Sequence, residues 1–201
     1  MKIILFGAGT IGAAVEKKLA EHGHEVLVVR RREGGLRADL TNAHSLRALF
    51  EQIGRFDAVA SAAGEAVSAP LLGSTDRQWA SSFASKAVGQ IDLVRAALPY
   101  IADGGSFTLV TGILADEPIA NSVISATVNA AVEGFVRAAA HELPRGIRIN
   151  AVSPTVLAES KAYHPYFPGF VPVPAEEVAM AYLRAIATPM NGRVLKVHKT
   201  G

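Results

Sequence analysis

The chain has 201 residues, half of them apolar, which is enough for one domain burying roughly 70% of its unfolded surface and small for two. Lys plus Arg number 20 against 18 Asp plus Glu, a net charge of +2, so there is no broad positive field for gripping nucleic acid or a membrane surface. The absence of cysteine excludes disulfide frameworks, thiolate nucleophiles, zinc-thiolate sites and iron-sulfur clusters.

Met1-Lys2 and the apolar stretch from Ile3 to Val15 have the outline of a short secretory signal. Three ordered glycines inside that stretch, and an unbroken alternation of strand and helix patterns after it, argue instead for a cytoplasmic protein that spans no membrane. Lys2 to Phe6 reads as a strand, and Ile11 to His22 as a helix through Val15, Leu19 and Ala20. Glu25 to Val29 is a second strand and Leu36 to Leu40 a short third. Thr41 and Asn42 can cap a helix through Leu46, Leu49 and Phe50. Phe56 to Ala60 is a fully apolar strand that ends at Ser61-Ala62-Ala63-Gly64.

A single long helix is expected from Ser74 or Thr75 to just before Pro99, with Trp79 and Phe83 packed together at i and i+4. Gly104-Gly105 reads as a turn that introduces the strand Ser106 to Thr111, and Ser122 to Leu143 as a second long helix closed by Pro144. Ile147 to Val152 is the next strand. Residues 153–174 hold five prolines together with Tyr163, Tyr166, Phe167 and Phe170, the composition of a lid over a substrate. Pro174 with Glu176 and Glu177 opens a last helix, and Arg193 to Val197 completes the sheet. Apolar strands alternating with helices imply one α/β domain over residues 1–201, a Rossmann-type, doubly wound parallel sheet. In such a sheet ligands sit at the carboxyl ends of the strands.

Gly7-Ala8-Gly9-Thr10-Ile11-Gly12 is G-x-G-x-x-G between the first strand and the first helix. Its glycines permit a tight turn and the approach of backbone to a pyrophosphate, with Gly7, Gly9, Thr10, Ile11 and Gly12 as the expected contacts. The second strand runs into Arg30-Arg31-Arg32 instead of a carboxylate. A carboxylate there would hold a ribose 2′-hydroxyl, whereas guanidiniums suit a 2′-phosphate, so NADP(H) is expected over NAD(H), held by Arg30 and Arg31. The histidines have no spacing suited to a metal site, and none is expected.

In order along the chain, the glycine loop, Asp39-Leu40, Ser61-Ala62-Ala63-Gly64 and the run from Gly146 to Pro154 resemble landmarks of the short-chain dehydrogenase/reductase family, in its compact members. The resemblance implies seven strands in the order 3-2-1-4-5-6-7, adenine contacts from Asp39 and Leu40, and a cofactor turn at Ala62, Ala63 and Gly64. It also implies a loop after Pro154 in which Val156 lies near the nicotinamide carboxamide. The glycine spacing is shorter than the family's usual one, and Thr155 stands where the family usually has Gly.

The family's catalytic set is a Tyr and a Lys at i and i+4, an upstream Ser and an Asn on the preceding long helix. No Tyr-x-x-x-Lys occurs in this sequence. Aligning Ala130 to Gly134 with the family's segment places Ser125 at the Tyr position and Asn129 at the Lys position. Gly112 falls at the Ser position with Thr111 beside it, and Lys86 falls at the Asn position. Ser125 and Asn129 share a helix face, but a serine is a poor acid near neutrality and an asparagine carries no charge. The expectation is that Lys86 supplies the missing charge, with Ser125, Asn129 and Thr111 as hydroxyl and amide partners and Tyr163, Tyr166 and Phe167 against the substrate. Tyr163, His164 or Tyr166 could supply a proton from the lid.

The chain therefore reads as an NADP(H)-dependent oxidoreductase acting on a small carbonyl-like, imine or quinone substrate. The alternative is a catalytically inactive NADP(H)-binding or regulatory protein. The resemblance also implies a homo-oligomer, dimer or tetramer, formed through the two long helices, where Ile91, Val94, Phe135 and Val136 could face either a partner or the sheet. An α/β-hydrolase is excluded by the lack of G-x-S-x-G.

Overall fold

A computed structural model describes residues 1–32 and 34–198. The apolar run after Met1 forms β1 (Lys2–Phe6), and Gly7 turns the chain into α1 (Thr10–Glu21). There follow β2 (Glu25–Arg30), β3 (Leu36–Arg37), α2 (Ala43–Ile53) and β4 (Phe56–Ser61). The second half contributes α3 (Asp76–Ser82), α4 (Gly89–Ala97), β5 (Ile101–Val110), α5 (Val123–Glu142), β6 (Arg148–Pro154), α6 (Ala175–Ala187) and β7 (Val194–Val197). All seven strands are parallel, in the order 3-2-1-4-5-6-7. The strand order reverses beside β1, where β4 pairs with it, and it is outside the carboxyl ends at such a reversal that a crevice opens.

Alternate residues of each strand feed two cores. Ile4, Phe6, Val59, Phe107 and Ile149 face α2, α4 and α5, whereas Ile3, Leu5, Ala58 and Ala60 face α1 and α6. Under the crevice Phe50 of α2 meets Phe6 at 5.9 Å and Phe56 at 5.3 Å between ring centroids. Val94 and Val136 are buried against the sheet, which removes them from any subunit contact, while Ile91 and Phe135 are only half-buried.

Several elements differ from the sequence reading. Only Leu36 and Arg37 pair with β2, so the third strand stops short of Leu40, and Ala38 to Leu40 turn toward the crevice. Gly104-Gly105 lies inside a strand that has already begun at Ile101. The register to β4 shifts there, and a Cβ on Gly105 would lie 2.7 Å from the Asp57 carbonyl oxygen, so the pair forms a bulge. The expected long helix is capped at Thr75 by a reciprocal Thr75–Gln78 box and does stack Trp79 on Phe83. It is not uniform, however: Phe83–Val88 winds as a π turn between α3 and α4, the kind of insertion that concentrates at functional sites.

Residues 153–174 are more ordered than a plain loop. Ser153 and Pro154 belong to β6, Leu157 bridges Val173, and Lys161–Tyr166 forms a 3-10 helix. Among the described residues no helix is long and apolar enough to cross a membrane.

Phe50→Ala is expected to cost about 3–5 kcal/mol, because its ring is fully buried between Phe6 and Phe56. Urea denaturation followed by circular dichroism measures it.

Candidate active site

Two clefts open at the carboxyl end of the sheet. The first, about 520 Å³, runs from Gly7 and Ala8 past Ala62, Ala63 and Gly64 to Arg30, Arg31 and Arg32, with Asp39 and Leu40 on its wall. Backbone contact sets its floor. A Cβ on Gly7, whose φ is +101°, would lie 2.7 Å from the Ala62 carbonyl oxygen, and one on Gly12 would be driven into the Gly7 carbonyl. Gly12 is thus buried beneath the turn and acts through packing. Gly9, by contrast, faces open space. It precedes α1, which has neither a capping side chain nor an acid in its first turn. The leading N–H groups at Thr10 and Ile11 therefore remain for an anion, and the open space at Gly9 is room a pyrophosphate can occupy.

At the far end of this cleft Arg31 is partly committed, its Nε lying 3.2 Å from Asp39 Oδ2. Asp39 Oδ1 accepts from the Thr41 backbone N–H at 2.9 Å and from the Thr41 hydroxyl at 2.8 Å. The Thr41 backbone N–H first, then the Thr41 hydroxyl and Arg31, hold the Asp39 carboxyl below its usual range against partial burial. Asp39 therefore shapes the cleft wall and orients Arg31. Arg30 lies along Gly34, whose positive φ and missing side chain make room for it.

The second cleft, about 570 Å³, lies between the Ala66 to Pro70 segment, Leu114 to Asn121 and the lid. It brings together Ser125, Tyr163, Tyr166 and Phe167 as expected, and among the described residues no charged side chain lines it. The lid is pinned at its base, where both oxygens of Glu159 accept the Ala175 N–H that opens α6, at 3.0 and 3.2 Å. His164, a candidate proton donor, has Nε2 2.9 Å from the Leu157 carbonyl oxygen.

Lys86 sits in the π turn, next to Ser85 of the first cleft, and is 8% exposed. Its side chain runs over Gly64, where a Cβ would lie 3.1 Å from Lys86 Cδ. Burial alone pushes its ammonium down from 10.5 to about 8. Ser125 and Asn129 are both buried on α5, one turn apart. Asn129 Oδ1 has no hydrogen-bond partner, and its amide lies beside Gly112, which has no side chain to block it. An acceptor buried without a donor is costly, and a ribose hydroxyl is a donor of the right kind.

A family model described as enoyl-(acyl carrier protein) reductase matches residues 7–191. The chain belongs to the short-chain dehydrogenase/reductase family. A solved structure, the protein lin1944 from Listeria innocua, is 43% identical, with a TM-score of 0.96 over 98% of this chain and 100% of that one. A small-chain dehydrogenase solved in complex with NADPH is 29% identical, with a TM-score of 0.87 over 98% of this chain and 96% of that one. Carbonyl reductase family member 4 of Danio rerio is 26% identical over 227 residues, 98% of this chain and 95% of that one. The chain is thus an oxidoreductase of the short-chain type.

Within this short-chain fold Thr111 and Val156, both expected at the site, also make bonds inside the protein. Thr111 donates its hydroxyl to Glu133 Oε1 at 3.2 Å and, like Lys86 and Asn129, lines neither cleft. Val156 already accepts the Val173 N–H at 3.1 Å through its carbonyl, while Pro154 ends β6 in the core. The sequence reading passed over Arg32 and Ser85 in the first cleft, and Leu114, Ile119 and Asn121 in the second. Arg32 was legible as the neighbour of Arg30 and Arg31; the others carry no local signal. Glu133 was missed too. Burial pushes its carboxyl up, although Thr111 and, at 3.6 Å, Arg137 oppose the shift.

A lysine whose folded pKa lies below its unfolded one binds its proton more weakly in the native state. It therefore costs stability below about pH 8, and the cost fades as pH rises toward 10.5. Lys86→Met is expected to melt at higher temperature than the wild type at pH 7, with the gain shrinking between pH 8 and 10. Thermal denaturation across that range measures it.

Proposed function

We propose that the chain is an NADP(H)-dependent oxidoreductase that moves hydride to or from a small, uncharged carbonyl-like, imine or quinone substrate. The observation that carries this reading is an arginine-lined cleft and an uncharged cleft, with Lys86 buried against Gly64 in the wall of the first. A 29%-identical relative solved with NADPH supports the cofactor class.

The residues fit that cofactor. The N-terminus of α1 and the open space at Gly9 suit its pyrophosphate, and Arg30, Arg31 and Arg32 suit a 2′-phosphate. Asp39 and Leu40 would flank its adenosine half, and the Asn129 oxygen would accept from a ribose hydroxyl. Pro154 and Val156 border the nicotinamide side. When bound, the cofactor supplies or accepts the hydride.

The chain's own side chains orient the substrate and manage the proton. Tyr163, Tyr166 and Phe167 cover the substrate as a lid and keep water out, while Ser125 offers a hydroxyl to its oxygen. Lys86, poised near neutrality by its burial, holds a proton and a positive charge beside the reacting centre. Ser125 and Asn129 alone would leave a conventional ketone reductase short of its acid, a loss of about 10²- to 10⁴-fold. That same neutrality favours a second reading, a binding protein without turnover. We place the protein in the cytoplasm as a dimer or tetramer joined through the outer faces of α4 and α5, where Ile91 and Phe135 remain half-buried.

Fluorescence titration is expected to give tighter binding of NADPH than of NADH, and the joint change Arg30→Ala with Arg31→Ala to reduce that preference at least about tenfold, at 1.4 kcal/mol per tenfold. NADH binding the tighter would defeat the assignment. In a panel of ketones, imines and quinones, NADPH oxidation by the wild type with a loss of about 10²-fold or more in Lys86→Ala is expected. No oxidation with any of them would favour the binding protein. Unchanged turnover and cofactor affinity in Lys86→Ala would remove Lys86 from the mechanism.

A further inference from the structure

The ladder between β4 and β5 ends at Ala60 and Thr108, although both strands run on, to Ser61 and Val110. In a parallel ladder successive residues direct their backbone groups to opposite neighbours. The Ala62 N–H donates to Phe6 of β1 at 2.7 Å, so the N–H and C=O of Ser61 face β5. The next bond of the ladder would then run from the Val110 N–H to the Ser61 carbonyl. It is replaced by two side-chain caps.

The Val110 N–H donates instead to Gln90 Oε1 at 3.0 Å, and Gln90 Nε2 donates back to the Val110 carbonyl at 2.9 Å. A side-chain amide thus stands where a strand residue would. The Ser61 carbonyl accepts from the Tyr182 hydroxyl at 2.6 Å. Gln90 and Tyr182 are both fully buried, and they reach the gap from opposite faces of the sheet, one from α4 and the other from α6.

We propose that Gln90 and Tyr182 are positioning residues that hold β4 and β5 apart at this one bond and so set the gap between the two clefts. Beyond Ser61 the chain forms the Ala62-Ala63-Gly64 wall of the first cleft. Beyond Val110 it reaches Gly112, against Asn129. The remaining N–H of the Gln90 amide takes the Lys86 carbonyl at 3.0 Å, so the amide that parts the strands also fixes the π turn carrying Lys86. Closing the gap would draw Gly64, with Lys86 packed against it, toward Gly112 and Asn129. The consequence for cofactor binding rests on the functional reading above; the parting of the strands does not.

A double-mutant cycle of Tyr182→Phe and Gln90→Met tests this, because each single change strands one partner of the missing bond and the pair lets the two partners meet. In the protein without cofactor, Tyr182→Phe is expected to lower Tm by about 3–8 °C and Gln90→Met by more, since an orphaned buried group is costly. The double variant is expected to lose clearly less than the sum of the two. Its Kd for NADPH is nevertheless expected to rise at least about tenfold beyond either single variant, a penalty of 1.4 kcal/mol. Stability partly restored while affinity falls is a pattern that a merely structural role would not produce. Additive losses of Tm, or a double variant that binds NADPH as the singles do, would overturn the proposal. Should Gln90→Met fail to fold, Tyr182→Phe alone decides: an NADPH Kd raised about threefold or more supports it, and an unchanged Kd overturns it. A wild type that binds no NADPH would fail the functional reading and leave the melting temperatures to judge the gap.

Discussion

The crevice depends on a close approach of backbone to backbone that only glycine allows. Gly7 is pressed against the Ala62 carbonyl, and Gly12 against the Gly7 carbonyl, so the first turn, the start of α1 and the end of β4 meet without side chains between them. This contact turns the uncapped N-terminus of α1 into the crevice beside Ala62 to Gly64. A methyl group at Gly7 or Gly12 would force these elements apart. Gly64 extends the same logic to Lys86, whose side chain needs the space that a Cβ would fill.

The polar groups at this end of the sheet are arranged at a cost to the fold. Lys86 is buried and shifted by that burial, Asn129 keeps an acceptor without a donor, and Glu133 is buried with only partial compensation. Groups held out of their preferred states concentrate where chemistry is done. Other buried or half-buried polar side chains are satisfied within the fold. Arg148 donates to the Ala185, Ile186 and Met190 carbonyls, and Asn150 spans Met190 and Arg193.

The two clefts differ in kind. Arginines and the turn at Gly7 and Ala8 line one cleft, whereas hydroxyls, aliphatics and three aromatic rings line the other. Such a division suits a charged, invariant coenzyme and a neutral, exchangeable partner. The lid belongs to the second cleft, yet through Glu159 it is tied to the start of α6, and through Tyr182 the same helix reaches the end of β4. One helix thus connects the lid of the second cleft with the wall of the first.

By itself the sequence determined the alternation of strands and helices, the phosphate turn and the basic end of β2. These rest on local rules: side-chain period, the steric freedom of glycine, and the charge of contiguous residues. It also put Ser125 and Asn129 on one helix face and aromatic residues in the lid. What only the tertiary structure decided is where polar groups from distant segments meet. Thr111 and Lys86 look alike in sequence as polar residues near landmarks. Packing sends Thr111 to Glu133 and leaves Lys86 alone in a desolvated gap. The π turn, the bulge at Gly105 and the caps on Ser61 and Val110 have no local signature either, because each satisfies backbone groups left over when sheet and helices are fitted together. The reason is physical: a period can be read from neighbours along the chain, but desolvation and leftover hydrogen bonds arise only when elements far apart in sequence come into contact.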